Sequence, residues 1–213
     1  MIRTPIPLDP PAPRLLAAVE STERSGLDTL VVGGGCVPRQ LGEALARGEP
    51  ARILVMSALG AHPDARAPRL RTLWDLEEAA RGAERPVLVL RLGPIVGLRS
   101  PLWLRLRSRP ALPDQGRALV NPVVEDDVIE TLSRGLDGRA SWSGWYEVAG
   151  AEALTLSELA ELAARSEPAP RGSGEWEPPL AEWLEHRLAE TGPWCEHFGV
   201  VPRRVSSEAP RWA

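Results

Sequence analysis

Three uninterrupted apolar runs, the first two followed by amphipathic stretches, constrain the fold of this chain more than any other feature. The runs are DTLVVGGG from residue 28, ARILVMSALG from residue 51 and PVLVLRLGPIVG from residue 86. Helical patterns follow the first two runs, at residues 38–48 and 68–84. Continuous apolar strands that alternate with helices are typical of a parallel sheet covered on both faces. The sequence therefore predicts an α/β protein.

The remaining segments predict smaller elements and three parts of the chain. We expect an α/β domain over residues 1–165, a linker over residues 166–179 and a helical C-terminal segment over residues 180–213. Thr155 and Glu158 form the pattern of a capping box at the start of a helix. Further helices are predicted at residues 13–26, 100–113, 125–138, 180–190 and 194–204, and short strands at residues 118–124 and 145–150.

Composition excludes several classes of function. The formal net charge of -4 leaves no basic surface for nucleic acid, and no apolar run is long enough for a secretory signal or a membrane span. Two cysteines are too few for a disulfide framework or a closed zinc site. All 25 cationic side chains are arginine, so chemistry that needs a lysine amine is excluded. We expect a cytoplasmic protein without a metal.

The segments PVLVLRLGPIVG, VNPVVEDDVIETL and GWYEVAGAEALTLSELAELA, taken in this order, resemble the atypical and extended short-chain dehydrogenase/reductase superfamily in its NmrA-like and epimerase-like branches. GLDTLVVGGG and ARILVMSALGAHP resemble its fourth and fifth strands. The resemblance spans residues 27–164 and implies a Rossmann-like sheet and an NAD(P) cofactor. It also implies a truncated fold, because the first βαβ half, which should carry the phosphate-binding glycines, is missing before the fourth strand.

A second alignment takes DTLVVGGG as the first strand of the sheet. Gly33, Gly34 and Gly35 then form the phosphate loop, in the correct position between a strand and a helix. Pro38 stands at the third glycine position, however, and the next strand ends in MSALG without an acidic residue for the ribose. The three glycines therefore remain cofactor-binding candidates.

The resemblance places further candidates at strand ends. It assigns Ser57 to the serine that hydrogen-bonds substrate, which makes it a weak catalytic candidate, or else a strand-end hydrogen-bonding residue. The tyrosine and lysine that accompany this serine should fall near Leu70 and Trp74, neither of which can titrate. Three residues lie where the superfamily's sixth strand ends beside the nicotinamide: Arg91, Gly93 and Pro94. Gly93 and Pro94 are equally explained as a turn.

Other polar residues have structural explanations that we favour. Asp126 and Asp127 are interpreted as helix caps and not as an acid/base pair. The three histidines are scattered, and Cys195 and His197 lack a second spaced pair for a metal. The alternating arginines of LRLRSRP, at positions 105, 107 and 109, predict a solvated face, with binding of a phosphate or carboxylate as the alternative.

Three hypotheses of function follow. In the first, the chain is a degenerate NAD(P)-binding-superfamily protein without short-chain dehydrogenase catalysis, which acts by binding. In the second, it is an NAD(P)-dependent epimerase or reductase that uses the glycine loop and a non-standard acid. In the third, it is a fragment of a longer protein, translated from an internal start.

The missing strands also predict association. Without the first strand, the strand DTLVVGGG would present unpaired main-chain groups, and the proline-rich N-terminus is a poor covering strand. We therefore expect a homodimer, or a second chain that covers the sheet edge, with the contact centred on Leu30, Val31 and Val32.

Overall fold

The computed structural model describes residues 2–3, 14, 29–33, 35–165 and 180–212. Its strands are β1 (Ile2–Arg3), β2 (Thr29–Val32), β3 (Arg52–Ala58), β4 (Val87–Leu92), β5 (Ile95–Val96), β6 (Leu119–Val120), β7 (Val123–Val124), β8 (Trp145–Val148) and β9 (Leu154–Thr155). Its α-helices are α1 (Pro38–Arg47), α2 (Pro68–Arg81), α3 (Pro101–Arg107), α4 (Glu125–Leu136), α5 (Leu156–Ala164), α6 (Gly192–Phe198) and α7 (Val205–Glu208). Short 3-10 turns cover Pro113–Gly116, Leu180–Trp183 and Ala209–Trp212.

The main sheet has five strands in the order β1-β2-β3-β4-β8, and each pair is parallel. β3 is buried along its whole length, as the continuous apolar run predicted. The expected α/β fold with a mostly parallel sheet between helices is therefore confirmed.

The N-terminus corrects one expectation about the sheet edge. Ile2 and Arg3 pair with Thr29 and Leu30, so a strand lies outside β2 where none was predicted. Ile2 and Arg3 can form this strand because they precede the first proline of the chain, and both can donate a main-chain N–H. The predicted helix at residues 13–26, Gly34 and the linker at residues 166–179 lie outside the described residues, apart from Arg14 of that helix.

Alternate residues of the strands point to opposite faces, and each face has its own apolar core. On one face, α1 and α2 pack on Leu30, Ile53 and Val55. On the other face, α4 and α6 pack on residues that include Val31 and Leu54. Both faces are covered, which explains why the strands are apolar throughout.

The connections between the strands are not all of the same hand. The steps β2 to β3 and β3 to β4 place α1 and α2 on the first face, whereas the step from β4 to β8 places α4 on the second face. All three steps move in the same direction across the sheet. The last connection is therefore of opposite hand to the first two, although right-handed crossovers are the rule.

A third apolar cluster lies beyond the carboxyl ends of the strands. It joins α3, α5, α7 and the final 3-10 turn, and Trp103 packs edge-on against Trp212 with 4.9 Å between ring centroids. The capping box of α5 is confirmed, since the Thr155 hydroxyl accepts from Glu158 N and the Glu158 carboxylate accepts from Thr155 N. Pro38 opens α1 as predicted.

The predicted helix at residues 180–190 was largely wrong. After the 3-10 turn Leu180–Trp183 the chain is irregular and extended, and Arg187 forms a parallel bridge with Val120. Main-chain hydrogen bonds to residues 119 and 121 replace the bonds that a helix would make. Residues 182–190 are called the covering segment below.

Candidate functional site

The topology places a crevice at the carboxyl ends of β3 and β4. A crevice opens where the chains that leave two neighbouring parallel strands run to opposite faces of the sheet. The chain leaving β3 enters α2 on the first face, and the chain leaving β4 leads through the third cluster to α4 on the second face. Ser57 and Gly93, predicted from strand ends, lie at this edge.

The covering segment crosses this edge of the sheet. At one side Arg66 N, in the loop after β3, donates to Glu185 Oε1 at 3.1 Å. In the middle Arg187 N donates to Leu119 O at 2.8 Å, and Asn121 N donates to Arg187 O at 3.0 Å. At the other side Glu190 N donates to Glu147 Oε2, on β8, at 2.8 Å. The segment therefore closes the crevice with the chain's own residues.

Arg187 is the residue that the covering segment inserts into the crevice. Its Cγ and Cδ lie 3.7 and 3.8 Å from the position that a Cβ on Gly60 would take. Gly60 has φ +85°, a conformation that favours glycine, in the turn directly after β3. Only 12% of the Arg187 side chain is exposed. No motif in the sequence pointed to Arg187, because its position depends on main-chain pairing between distant residues.

Glu182 contacts two arginines in the crevice. Its Oε2 lies 3.1 Å from Arg69 Nη1 and 3.6 Å from Arg187 Nη1. Burial lowers the pKa of Arg187, an effect that Glu182 partly offsets. Arg69 immediately precedes Leu70, where the resemblance places the tyrosine, so an arginine and its carboxylate partner stand beside that position.

Ser57 keeps its predicted place, but the groups that would activate it are absent. Its Oγ is buried and makes no hydrogen bond. Leu70 is fully buried under the first face, and Trp74 lies against the His62 ring with 5.8 Å between centroids. Neither residue can donate or accept a proton in a reaction, so Ser57 lacks the tyrosine–lysine partner of the superfamily.

Arg91 is used within the protein. Its Nη2 donates to Glu77 Oε2 at 2.7 Å, and Glu77 is fully buried. The Arg91 guanidinium lies 5.4 Å from the centroid of Trp74 and 4.5 Å from that of Trp145. This geometry fits a buried ion pair between aromatic rings better than a cofactor ligand.

Gly93 and Pro94 serve chain packing. Gly93 N donates to Val148 O at 2.8 Å, and Pro94 O accepts from Val123 N at 2.9 Å. A Cβ on Gly93 would lie 2.3 Å from Asn121 O. The glycine thus allows the segment between β6 and β7 to cross directly over the end of β4.

Several main-chain donors beside Gly33 and Gly35 are used within the chain. Such a loop binds pyrophosphate through free N–H groups at the start of the next helix. Here Cys36 N donates to Gly33 O, and Val37 N donates to Gln40 Oε1. Pro38 has no N–H, and the amides of residues 40 and 41 donate to Val37 O. These donors are occupied within the chain.

Tyr146, the sole tyrosine, lies on the wrong face for the superfamily's chemistry. It pairs in register with Leu90 of the second core, and its ring stacks on His197 with 4.3 Å between centroids. Ser57 pairs in register with Arg91, whose partner Glu77 is on α2 at the first face. Tyr146 and Ser57 therefore point to opposite sides of the sheet. Burial raises the pKa of the Tyr146 phenol.

Asp126 and Asp127 lie in the first turn of α4 as predicted, but their interpretation as helix caps was wrong. The residue at the cap of α4 is Val124, and no side chain caps the helix. Asp127 is fully buried, accepts from Arg203 N at 2.8 Å and pairs with the Arg203 guanidinium. Asp126 pairs with Arg14 at 2.7 Å. The partners lie far away in sequence, so local spacing could not reveal them.

Neither a metal site nor a membrane-spanning helix is found in the described part of the chain. Within the described ranges, no group of three or more His, Cys, Asp and Glu side chains is arranged to hold a metal ion. In the same part of the chain, no helix is both long and apolar enough to cross a bilayer.

Of the alternating arginines, Arg105 and Arg107 lie in the last turn of α3, and Arg109 follows it.

Comparison with solved structures defines the class of fold. The chain is similar to MoeE5 in complex with UDP-glucose and NAD, with a TM-score of 0.66 and 16% identity over 88% of this chain and 79% of that chain. It is similar to UDP-glucose 4-epimerase from Thermotoga maritima, with a TM-score of 0.63 and 13% identity over 85% and 74%. WbmG of Bordetella bronchiseptica, in complex with NAD and UDP, gives a TM-score of 0.60 and 14% identity over 93% and 76%.

This chain therefore has the Rossmann-like fold of these solved structures, as its motifs predicted. At these identities the likeness concerns the fold. No protein-family model and no curated protein sequence matches the chain.

Proposed function

We propose that this protein binds a small ligand in the crevice at the carboxyl ends of β3 and β4 and does not carry out NAD-dependent hydride transfer. The observation that carries the proposal is the separation of Ser57 and Tyr146 onto opposite faces of the sheet. Reduction of a carbonyl requires a proton donor beside the atom that receives hydride. The sole tyrosine cannot reach that place, and no lysine exists to assist it.

The contacts in the crevice support a binding role. Leu70 and Trp74 stand where the resemblance places titratable groups, whereas Arg187 and Glu182 supply buried charged groups that can bind a ligand. The occupied amides of residues 36, 37, 40 and 41 argue against NAD at the glycine loop. The competing hypothesis, an NAD(P)-dependent epimerase or reductase with a non-standard acid, requires tight NAD(P)(H) binding by these same residues.

A calorimetric titration with NADH and NADPH tests the proposal directly. We expect weak binding or none, since the amides of residues 36, 37, 40 and 41 donate within the chain. A dissociation constant in the low micromolar range would refute the proposal and favour the epimerase or reductase.

Tyr146→Phe should leave the rate of any carbonyl reduction unchanged. Ser57→Ala is the matched variant, because Ser57 lies on the opposite face of the sheet. Loss of turnover in folded Tyr146→Phe would assign catalysis to Tyr146 and contradict the proposed role.

A further inference from the structure

Three buried polar groups near the end of β3 have incomplete hydrogen bonding. Arg187 Nε, Glu182 Oε1 and Ser57 Oγ are buried and make no hydrogen bond. Glu182 and Ser57 are each only 4% exposed. An unpaired buried polar group is costly, because it has lost its water without gaining a partner. Such groups in a crevice indicate a site that a ligand completes.

The pairing of Arg187 with Glu182 is weak. Its contact with Glu182 is 3.6 Å long, beyond a hydrogen bond, and Glu185 contributes attraction from further away. The same Glu182 oxygen accepts from Arg69 at 3.1 Å. One carboxylate oxygen therefore faces two guanidinium groups and fully satisfies only Arg69. A buried cation that lacks a close anion is destabilising.

We propose that the crevice binds the phosphate group of a phosphorylated small molecule between Arg69 and Arg187, and that Glu182 occupies the phosphate position in the unliganded protein. A phosphate has oxygens in several directions, so one oxygen can accept from Arg187 Nε while another accepts from Arg69. The planar Glu182 carboxylate, fixed to the chain, reaches Arg69 but leaves Arg187 Nε without an acceptor. This inference rests on the ligand-binding function proposed above.

The covering segment has the contacts of an element that can be displaced. Trp183 anchors the start of the segment in the third apolar cluster, but Leu184 and Leu188 are half exposed, so little apolar burial holds residues 184–190. Polar contacts hold them instead, including the bonds of Arg66 N to Glu185 and of Leu119 N to His186 Nδ1. A phosphate that displaces Glu182 would therefore loosen the segment.

The test compares phosphate binding by the full-length chain and three variants. Calorimetry with inorganic phosphate and pyrophosphate should show at least tenfold tighter binding in Glu182→Gln than in the original chain, because the internal competitor is neutral. Arg187→Gln should lose at least tenfold. Arg139→Gln, an exposed arginine paired with Asp137, is the control and should match the original chain. Acetate should not bind comparably, which separates phosphate from carboxylate chemistry.

Glu182→Asp and amide exchange test the same site independently. If Glu182→Gln does not fold, Glu182→Asp, with its shorter reach, should show the same tighter binding. Phosphate should also accelerate amide exchange at residues 121 and 187. If the Glu182→Gln variant and the double variant Glu182→Gln, Arg187→Gln bind phosphate with equal affinity, the proposed site is wrong. If NADH binds tightly and phosphate binding still depends on Arg187, the phosphate site stands. Only the proposed absence of NAD-dependent chemistry is then refuted.

Discussion

At the scale of single residues, close approach of main chains makes some glycines irreplaceable. A Cβ on Gly93 would lie 2.3 Å from Asn121 O, and one on Gly150 would lie 2.0 Å from Pro122 O. Both obstacles are backbone atoms, which cannot rotate away as a side chain can. These two glycines hold the segment between β6 and β7 against the ends of β4 and β8.

We expect Gly93→Ala to destabilise the protein by about 2–3 kcal/mol, because the clash forces the backbone at Asn121 to move. Gly42→Ala is the matched control, since nothing lies within 4 Å of its added Cβ in the middle of α1. Higher helix propensity should stabilise that variant by up to about 1 kcal/mol. Urea unfolding measures both changes. Equal stabilities of the two variants would contradict the close approach.

A pH effect is expected at Glu125, which is 2% exposed and contacts Arg14 at 3.1 Å. Burial raises the pKa of its carboxyl group, and Arg14 offsets this only in part. The folded chain then binds a proton at higher pH than the unfolded chain. Stability from this group therefore increases as the pH falls from neutrality, and the gain is complete below the unfolded value of about 4.3.

The free energy of unfolding should therefore rise in the original chain relative to Glu125→Gln as the pH is lowered. Denaturant unfolding at several pH values measures the difference. Glu43→Gln on α1 is the control, because the Glu43 side chain is half exposed. A difference between the original chain and Glu125→Gln that does not change with pH would show that burial does not control this carboxyl group.

At the scale of elements, local signals predicted the longer strands and most helices of the described chain. Continuous apolar runs identified β2, β3 and β4, and the Thr155 pattern located the start of α5. The extended chain at residues 184–190 was missed because its partners are residues 119 and 121, more than 60 positions away. Its spacing of leucines suits a helix, but tertiary hydrogen bonds override that preference.

The capping box of α5 permits a quantitative test. Thr155→Ala should cost about 1 kcal/mol, since Glu158 N then loses its acceptor. Thr72→Ala, at a partly buried position on α2 where the hydroxyl donates to Pro68 O, should change stability by less than about 0.5 kcal/mol. Thermal or urea unfolding distinguishes the two. A Thr72→Ala effect as large as that of Thr155→Ala would mean that the cap is not the cause.

At the scale of the whole molecule, the sequence predicted where the crevice lies but not what fills it. Strand ends marked Ser57 and Gly93, because ligands bind at the carboxyl edge of parallel sheets. Arg187 and Glu182 reach that edge only through the covering segment, whose path depends on long-range pairing. Composition alone already excluded the lysine-dependent chemistry of the superfamily.

Association through the edge beside β2 remains a prediction for the intact molecule. In the described part of the chain, β1 pairs with Thr29 and Leu30, and no described strand pairs with Val31 and Val32 on that side. A partner strand would add main-chain hydrogen bonds there, because the side chains of both valines are already buried. We therefore expect a homodimer, or a second chain, at this edge.

Light scattering over a range of protein concentrations measures the association, and amide exchange locates it. Exchange at Val31 and Val32 should slow as the assembly forms. A monomer that persists at high micromolar concentration, with fast exchange at both valines, would rule out the edge contact.

The covering segment also gives the protein a built-in site for limited proteolysis. Trypsin can cleave this chain only after arginine, since lysine is absent. At Arg187 both the N–H and the carbonyl are hydrogen-bonded to residues 119 and 121, so the adjoining peptide bond cannot enter a protease while the segment stays in place. Cleavage after Arg187 therefore reports the fraction of molecules in which the crevice is open.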